Sequence, residues 1–497
     1  MNNKNLNQRI IFGLKVKQFR QERGLSFSDL AARTGMSISY LNEIEKGKKF
    51  PKIDKVKALA ETLDTDYTEL ISSSLTGTFA PVGELLRSNF LNELPLDLFG
   101  IELSKVVEII SNAPVRVGAF ISTLVEISRN YALGEESFYH SALRAYTELH
   151  YNYFEDIEQA ANLFIEENKI SKGQAVDVAI LEKILKTKYK YEIVENGLKD
   201  YPEMKNLRSV FVEKSKRLLL NGELTEIQRA FQYGKELAYN YRGLKGRSAT
   251  SSMLKINTFD EVLNHFKAAY FSVAILMSRD EFIVDLQDFF QHNKWDGEAF
   301  LHLIRKYNAS PEMLFNRLTN VLPWKFGMRK MFFMRVFHDT TTDKFQMDKE
   351  LHLDRQHQPH GSGLFEKYCR RWLALSLLKD LHSIQQGGKY VGTIVGAQRS
   401  KYFETDDEYF ALTLARPGNP GSGINVSVTI GILIDEELPN KIKFLNDPSI
   451  SSRIVNNTCE RCPIEDCTDR AAPASIIEKR EHRRKVQEAL NMIIGKG

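Results

Sequence analysis

Residues 24–63 read GLSFSDLAARTGMSISYLNEIEKGKKFPKIDKVKALAETL, two short apolar-periodic runs divided by Thr34-Gly35 and bounded by Gly24 and Gly47. Ser26 precedes the first run and Ser37 the second. A serine hydroxyl accepts one of the backbone N–H groups left open in a helix's first turn, and glycine suits the left-handed position just past a helix end. The pattern predicts one helix after Ser26 with Leu30 and Ala31 inward, a turn at Gly35, and a second helix from Ser37 that closes at Gly47. Upstream, Ile10, Leu14, Val16 and Phe19 recur at mostly helical spacing until Arg23-Gly24. Leu30, Leu41, Ile44 and Leu59 are the expected core.

This end of the chain is basic. Residues 1–58 hold 13 Lys and Arg against 5 Asp and Glu, whereas all 497 residues carry a formal net charge of only +4. A basic head on a slightly acidic body suits a polyanionic partner, because phosphate contacts release condensed counterions. Charge alone leaves nucleic acid and an anionic membrane open.

The 24–63 segment resembles the Xre/Cro/CI helix-turn-helix family in Leu30-Ala31, Gly35, Ser37, Leu41, Ile44-Glu45, Gly47, Pro51 and the helix through Leu59-Ala60 to Leu63. The resemblance implies that the helix from Ser37 to Lys46 enters the DNA major groove, where all four base pairs are distinguishable. Ser37, Ser39, Tyr40 and Asn42 are the outward positions for base or phosphate contact, and Lys46, Lys48 and Lys49 are for phosphate. It also implies a homodimer on paired half-sites. A helical module for protein contact is the alternative. Ser72-Ser73-Ser74 with the following Leu-Thr-Gly-Thr is the expected linker.

Length and composition set the frame around this head. A chain of 497 residues with 42% hydrophobic and 27% charged residues is expected to form about three globular domains. No signal-peptide run and no long apolar stretch is present, so a cytoplasmic protein away from membranes is expected. The expected fold class is multidomain: an all-α helix-turn-helix head (1–75), a helical region (76–194), a mainly α middle (195–326) and an α+β sensor-like C-terminal domain (327–497).

The middle carries IQRAFQYGKELAYNYRGL and EVLNHFKAAYFSVAILMSRDEF. These are similar to the ImmA/IrrE metallopeptidase domain, whose His-Glu-x-x-His helix and later Glu hold zinc. Lys235-Glu236-Leu237-Ala238-Tyr239 stands at the first motif, Ala268-Ala269-Tyr270-Phe271 and Ile275-Leu276-Met277-Ser278 hold the second frame, and His265 stands where the ligand Glu belongs. Zinc chemistry needs two neutral imidazoles one turn apart and a carboxylate general base. Only the base position, Glu236, survives. A lysine cation repels zinc and a phenol is a poor donor at neutral pH. The domain is read as a pseudo-peptidase with no catalytic residue and no catalytic zinc, and Glu236 is expected to pair with Lys235 or Arg242 or to face water.

After Pro323-Trp324, the runs MFFMRVFHD, KYVGTIVGAQ, EYFALTLARP and NVSVTIGILID read as strands, with KYCRRWLALSLLKDL as a helix between them. A sensor fold similar to GAF or PAS domains is expected. Three of the four cysteines, Cys459, Cys462 and Cys467, crowd together, and Cys369 is the fourth. Four thiolates could hold zinc or an iron-sulfur cluster; reduced thiols are the alternative. His352, His357 and His360 in HLDRQHQPHGSG are expected as solvated loop residues, and the terminal IIEKREHRRKVQEALNMII as an amphipathic helix that packs through Val486, Ala489, Leu490 and Ile493.

Met334-Arg335-Val336, Cys369-Arg-Arg-Trp372 and the run from Cys459 to Pro473 together resemble the short-chain fatty acyl regulator (ScfR) family, which includes RamB-, MldR- and PccR-like regulators. The resemblance implies control of carboxylic-acid or acyl-CoA genes, with a short-chain acyl-CoA as small-molecule effector. A metallopeptidase-like factor acting on a repressor or antitoxin is the competing class, and a ligand-free phage-type repressor is a third.

Overall fold

The computed structural model describes residues 3–72, 75, 105, 135–251, 256, 258–353, 366–388, 392–418 and 423–494. Much of the expected helical region 76–194, most of the expected linker, and His357 and His360 lie outside them. The chain forms two compact units, Met1–Tyr146 with Ile256–Val262, and Thr147–Lys255 with Leu263–Gly497. The expected head (1–75) lies in the first unit, and the expected 327–497 region lies in the second.

The first unit opens with helices α1 (Asn3–Glu22), α2 (Phe27–Thr34), α3 (Ile38–Glu45), α4 (Ile53–Thr62) and α5 (Tyr67–Ile71). Ser26 caps α2 with a capping box: its hydroxyl accepts from Asp29 N at 3.1 Å and its own N–H donates to Asp29 Oδ2 at 2.9 Å. Gly35 ends α2 at φ +69°, and Ser37 caps α3 by accepting from Tyr40 N at 3.2 Å. The core joins Phe12, Val16, Leu30, Met36, Leu41, Ile44, Val56, Leu59, Leu63 and Leu70. Helix α1 is less amphipathic than its spacing predicts. Residues 10–16 are buried all round, Lys15 included, because α3 and α5 both pack on it. Lys15 Nζ donates to Glu69 O and, at 2.5 Å, to Ser72 Oγ. Gly13 permits the closest approach, since a Cβ there would stand 2.2 Å from Ile44 O.

In the second unit, helices Glu155–Glu167 and Val178–Thr187 precede a small sheet of β1 (Glu192–Val194), β2 (Ser209–Val212) and β3 (Arg217–Leu220), ordered β1-β3-β2. This sheet was not foreseen in a mainly α middle; its strands are only three or four residues long. Helices Glu226–Tyr241, Arg279–Phe290, Gly297–Lys306 and Pro311–Lys325 follow. The six-stranded sheet contains β4 (Met331–Asp339), β5 (Lys344–His352), β6 (Ile394–Tyr402), β7 (Glu408–Pro417), β8 (Ile424–Leu433) and β9 (Ser451–Val455), in the order β5-β4-β8-β7-β6-β9. All neighbours are antiparallel except β6 and β9. Helix Leu373–Gln386 covers one face over Phe332, Met334, Val336 and Tyr409, while Gly297–Lys306 and Pro311–Lys325 approach the other. The C-terminal α+β architecture therefore matches the expected class.

Three local expectations change. The helix expected from Lys367 starts at Leu373, and Cys369 sits instead beside the isolated bridge between Tyr368 and Thr458. His352 is the buried last residue of β5, a charged edge strand that its KFQMDKELH sequence hid. Terminal helix Ser475–Ile494 buries none of its residues: Val486, Leu490 and Ile493 are exposed.

A pair absent from the sequence reading ties the second unit together. Glu158 and Arg317 are both fully enclosed, with Arg317 Nη1 2.5 Å from Oε1 and Nη2 3.0 Å from Oε2. Tyr270 O–H donates to Glu158 at 2.8 Å and Arg317 Nε to Met277 O at 2.9 Å. Removing one member leaves the other charge buried without its partner, which costs about 3–5 kcal/mol. Calorimetric unfolding of Glu158→Ala should show a loss of that size, and Glu158→Leu with Arg317→Met should recover most of it. A double variant no more stable than the single one would contradict this.

Candidate nucleic-acid interface and the altered peptidase cleft

Helix α3 is held from behind. Leu41 and Ile44 enter the core, and buried Glu45 accepts from Arg20 Nε at 2.6 Å and Nη2 at 3.0 Å, while Arg20 Nη1 donates to Leu25 O at 2.9 Å. What remains outside is the expected face: Ser37, Ser39 and Asn42 are exposed and Tyr40 is half-buried. Ser37's hydroxyl already caps the helix, which fixes its place at the helix start. Lys48 and Lys49 are exposed, Lys49 lying 3.0 Å from Glu43, and Lys46 is half-buried at the helix's C-cap. Tyr40 lies beneath Lys55 Nζ, 4.5 Å from the ring centroid, so the phenol is braced by a cation.

Sequence reasoning passed over further members of this surface. Ile38 is 50% exposed at the first helical position, between the buried Met36 and Leu41. Lys52 and Lys55, exposed at the start of α4, extend the positive surface, and Arg33 does so from α2. Their signal was the charge run KGKKFPKIDKVK itself.

The altered peptidase cleft is built on helix Glu226–Tyr241. Gly234 lets helix Phe259–Leu276 press close, since a Cβ would meet Ser272 Oγ at 2.2 Å. This brings Lys235 Nζ within 3.4 Å of His265 Nε2, so the two motif frames do converge. Glu236 pairs with neither Lys235 nor Arg242, and it does not face water. After the helix the chain turns back through Gly246, at φ +77°, and delivers Arg247, whose Nη1 and Nη2 donate to Glu236 at 2.8 and 2.7 Å. Tyr191 O–H donates to the same carboxylate at 3.0 Å, whereas Arg242 pairs with Asp156 at 2.6 Å. The Arg247 guanidinium lies 3.8 Å from the Phe211 ring centroid and 4.3 Å from that of Tyr239. A planar cation clamped by Glu236 and two rings thus fills the space beside the general-base position. Burial, against the opposing pull of Glu236 and reinforced by Arg247 and Arg208, pushes Lys235 down to about 7.

The cysteines are only partly gathered. Cys369 N donates to Asn457 O at 3.1 Å and Cys459 N to Lys367 O at 2.9 Å, and Arg470 ties the Cys459 and Cys462 carbonyls at 2.8 and 2.9 Å. Burial pushes the Cys369 thiol up. Among the described residues, no three His, Cys, Asp or Glu side chains stand where they could hold one metal ion. Cys459 and Cys462 lie near enough to Cys369 to raise its thiol further, and Arg470 braces the backbone around them. Nor is any helix of the described residues long and apolar enough to cross a membrane.

The "Helix-turn-helix domain" family matches residues 11–70, and the "IrrE N-terminal-like domain" family matches residues 195–319. The HTH-type transcriptional regulator y4dJ of Sinorhizobium fredii is 30% identical over 67 residues, 14% of this chain and 87% of that protein. The chain belongs to the helix-turn-helix transcriptional regulators. The propionyl-CoA carboxylase regulator of Cereibacter sphaeroides is 28% identical to this helix-turn-helix regulator over 114 residues, 23% of each chain. A solved Mycobacterium tuberculosis transcriptional regulator aligns at TM-score 0.47 and 18% identity, covering 66% of this chain and 92% of that one.

The Lys235 environment gives this regulator a specific pH signature. Below about pH 7 the lysine is charged in both folded and unfolded chains, and the full desolvation penalty stands. Between there and its ordinary 10.5 only the unfolded chain holds the proton, so the folded state gains stability as pH rises. Lys235→Met should therefore stabilise the protein by on the order of 3 kcal/mol at pH 6, with the gain shrinking as pH rises from about 7 and gone near 10.5. A pH-independent gain in urea titrations would contradict the assigned burial.

Proposed function

We propose that this helix-turn-helix regulator reads operator DNA with α3 as a homodimer and adjusts its affinity to a small metabolite, such as a short-chain acyl-CoA, held by the second unit. The genes controlled would be those of carboxylic-acid or acyl-CoA metabolism. One observation carries the DNA reading: a rigidly docked α3 leaves Ser37, Ser39 and Asn42 exposed together, flanked by Lys46, Lys48 and Lys49. Small polar side chains reach base edges, and surrounding lysines fix register on phosphates. The metabolite reading is supported by the stretch similar to a propionyl-CoA carboxylase regulator and by a sheet layered between helices on both faces.

The peptidase-like alternative finds little support in the cleft. Lys235 and Tyr239 replace two ligands, and Arg247 occupies both oxygens of Glu236. We read this part as catalytically silent and structural.

Fluorescence anisotropy on DNA from the regulator's own upstream region tests the proposal. Ser39→Ala with Asn42→Ala should weaken specific binding by about 1–3 kcal/mol for each base that is no longer read, without changing the unfolding temperature, because both residues are exposed. A panel of short acyl-CoA thioesters should shift that affinity. Unchanged operator binding in the double variant, or zinc-dependent proteolysis by the wild type, would overturn it.

A further inference from the structure

Ile38 is the apolar member of the exposed side of α3. It belongs neither to the apolar core of the head nor to the polar contacts proposed above, whereas Leu41 and Ile44, the helix's buried apolar residues, both enter that core. The exposed residues around it in the chain are Ser37, Ser39 and Asn42, all short and polar. Ile38 and Asn42, four residues apart, stand one turn from each other on the same edge of the helix, with Ser39 beside them.

The other large apolar residues exposed on the head, Phe50 and Ile53, lie outside α3. Phe50 rests its ring against Phe12, with centroids 4.6 Å apart, and Ile53 opens α4 next to Lys52. An apolar protein partner is recognised by a contiguous apolar patch. Ile38 is instead a single apolar group bracketed by hydrogen-bonding side chains, and the exposed Lys48, Lys49, Lys52 and Lys55 follow it in the chain.

The floor of the DNA major groove has the complementary pattern. It presents hydrogen-bond donors and acceptors interrupted by one kind of apolar group, the C5-methyl of thymine. In a helix-turn-helix the N-terminal residues of the groove-entering helix are those that meet base edges, and Ile38 is the first residue of α3. A β-branched side chain in a helix is held to essentially one χ1 rotamer, so the contact costs little side-chain entropy. The bidentate bond from Arg20 to Glu45 holds the helix that carries it.

We infer that Ile38 is a specificity-determining residue that reads thymine, packing its side chain on the C5-methyl group in the major groove. This role rests on the operator-reading part of the proposed function. It adds a distinction that Ser39 and Asn42 do not draw by hydrogen bonding, since thymine and uracil present the same donors and acceptors and differ only in that methyl.

Fluorescence anisotropy of the full chain on operator DNA, with each thymine replaced in turn by deoxyuridine, tests the contact. For the wild type, replacement of one particular thymine in each half-site should weaken binding by about fourfold, the worth of one methyl group withdrawn from water. Ile38→Ala should bind the unmodified operator more weakly by a similar factor and should no longer distinguish thymine from uracil there. Ile38→Val should keep part of the distinction and Ile53→Ala all of it, with unfolding temperatures unchanged because both positions are exposed. Wild-type binding indifferent to every replacement, or a loss that persists undiminished in Ile38→Ala, would overturn the role of Ile38 and leave DNA reading by α3 standing. Failure of the wild type to bind the unmodified operator would overturn that reading and the methyl contact with it.

Discussion

The buried pair of Arg20 and Glu45 is the constraint on which the DNA-reading end depends. Helix α3 has eight residues, too few to persist alone in water, so its form and direction come from what it packs on. Leu41 and Ile44 supply the apolar contact, but these side chains alone would tolerate rotation about the helix axis. The bidentate bond from Arg20 removes that freedom, because a planar guanidinium donates both hydrogen bonds to the carboxylate in one orientation only. Gly13 adds a steric limit by bringing α1 against the Ile44 carbonyl. With its inner face locked to α1, the outer face of α3 presents its polar residues in fixed register.

The second unit applies similar chemistry to a different end. A cleft whose frame is similar to that of a zinc peptidase has its base position bonded to Arg247 and its ligand positions given to Lys235, Tyr239 and His265. The guanidinium supplies positive charge where a metal would, but it offers no open coordination site and no activated water. Elsewhere in the unit, Arg416 and Glu312 join helix Pro311–Lys325 to the large sheet.

The head was legible because capping serines, helix-ending glycines and apolar spacing all act locally, and each of these signals recurs as an observed cap, turn or core residue. Strands β4, β7 and β8 were legible for the same reason: they are long and rich in aromatic, aliphatic or β-branched residues. Strand β5 was not, since an edge strand with one wet face carries the charged residues that disguise it. The Glu236–Arg247 and Glu158–Arg317 pairs were out of reach because partners 11 and 159 residues apart are chosen by the tertiary fold. The crowding of Cys459, Cys462 and Cys467 was legible, whereas the approach of Cys369 to them is chosen by the tertiary fold.

The most direct measurement of the central claim, that a basic surface around α3 meets duplex DNA, is the salt dependence of operator affinity for the wild type and for the combined Lys46→Gln, Lys48→Gln and Lys49→Gln variant. Each phosphate contact contributes about 0.9 to the slope of log affinity against log salt. The account predicts a steep linear fall for the wild type and a slope shallower by about 2 to 3 in the variant. Equal slopes for the two proteins would contradict it.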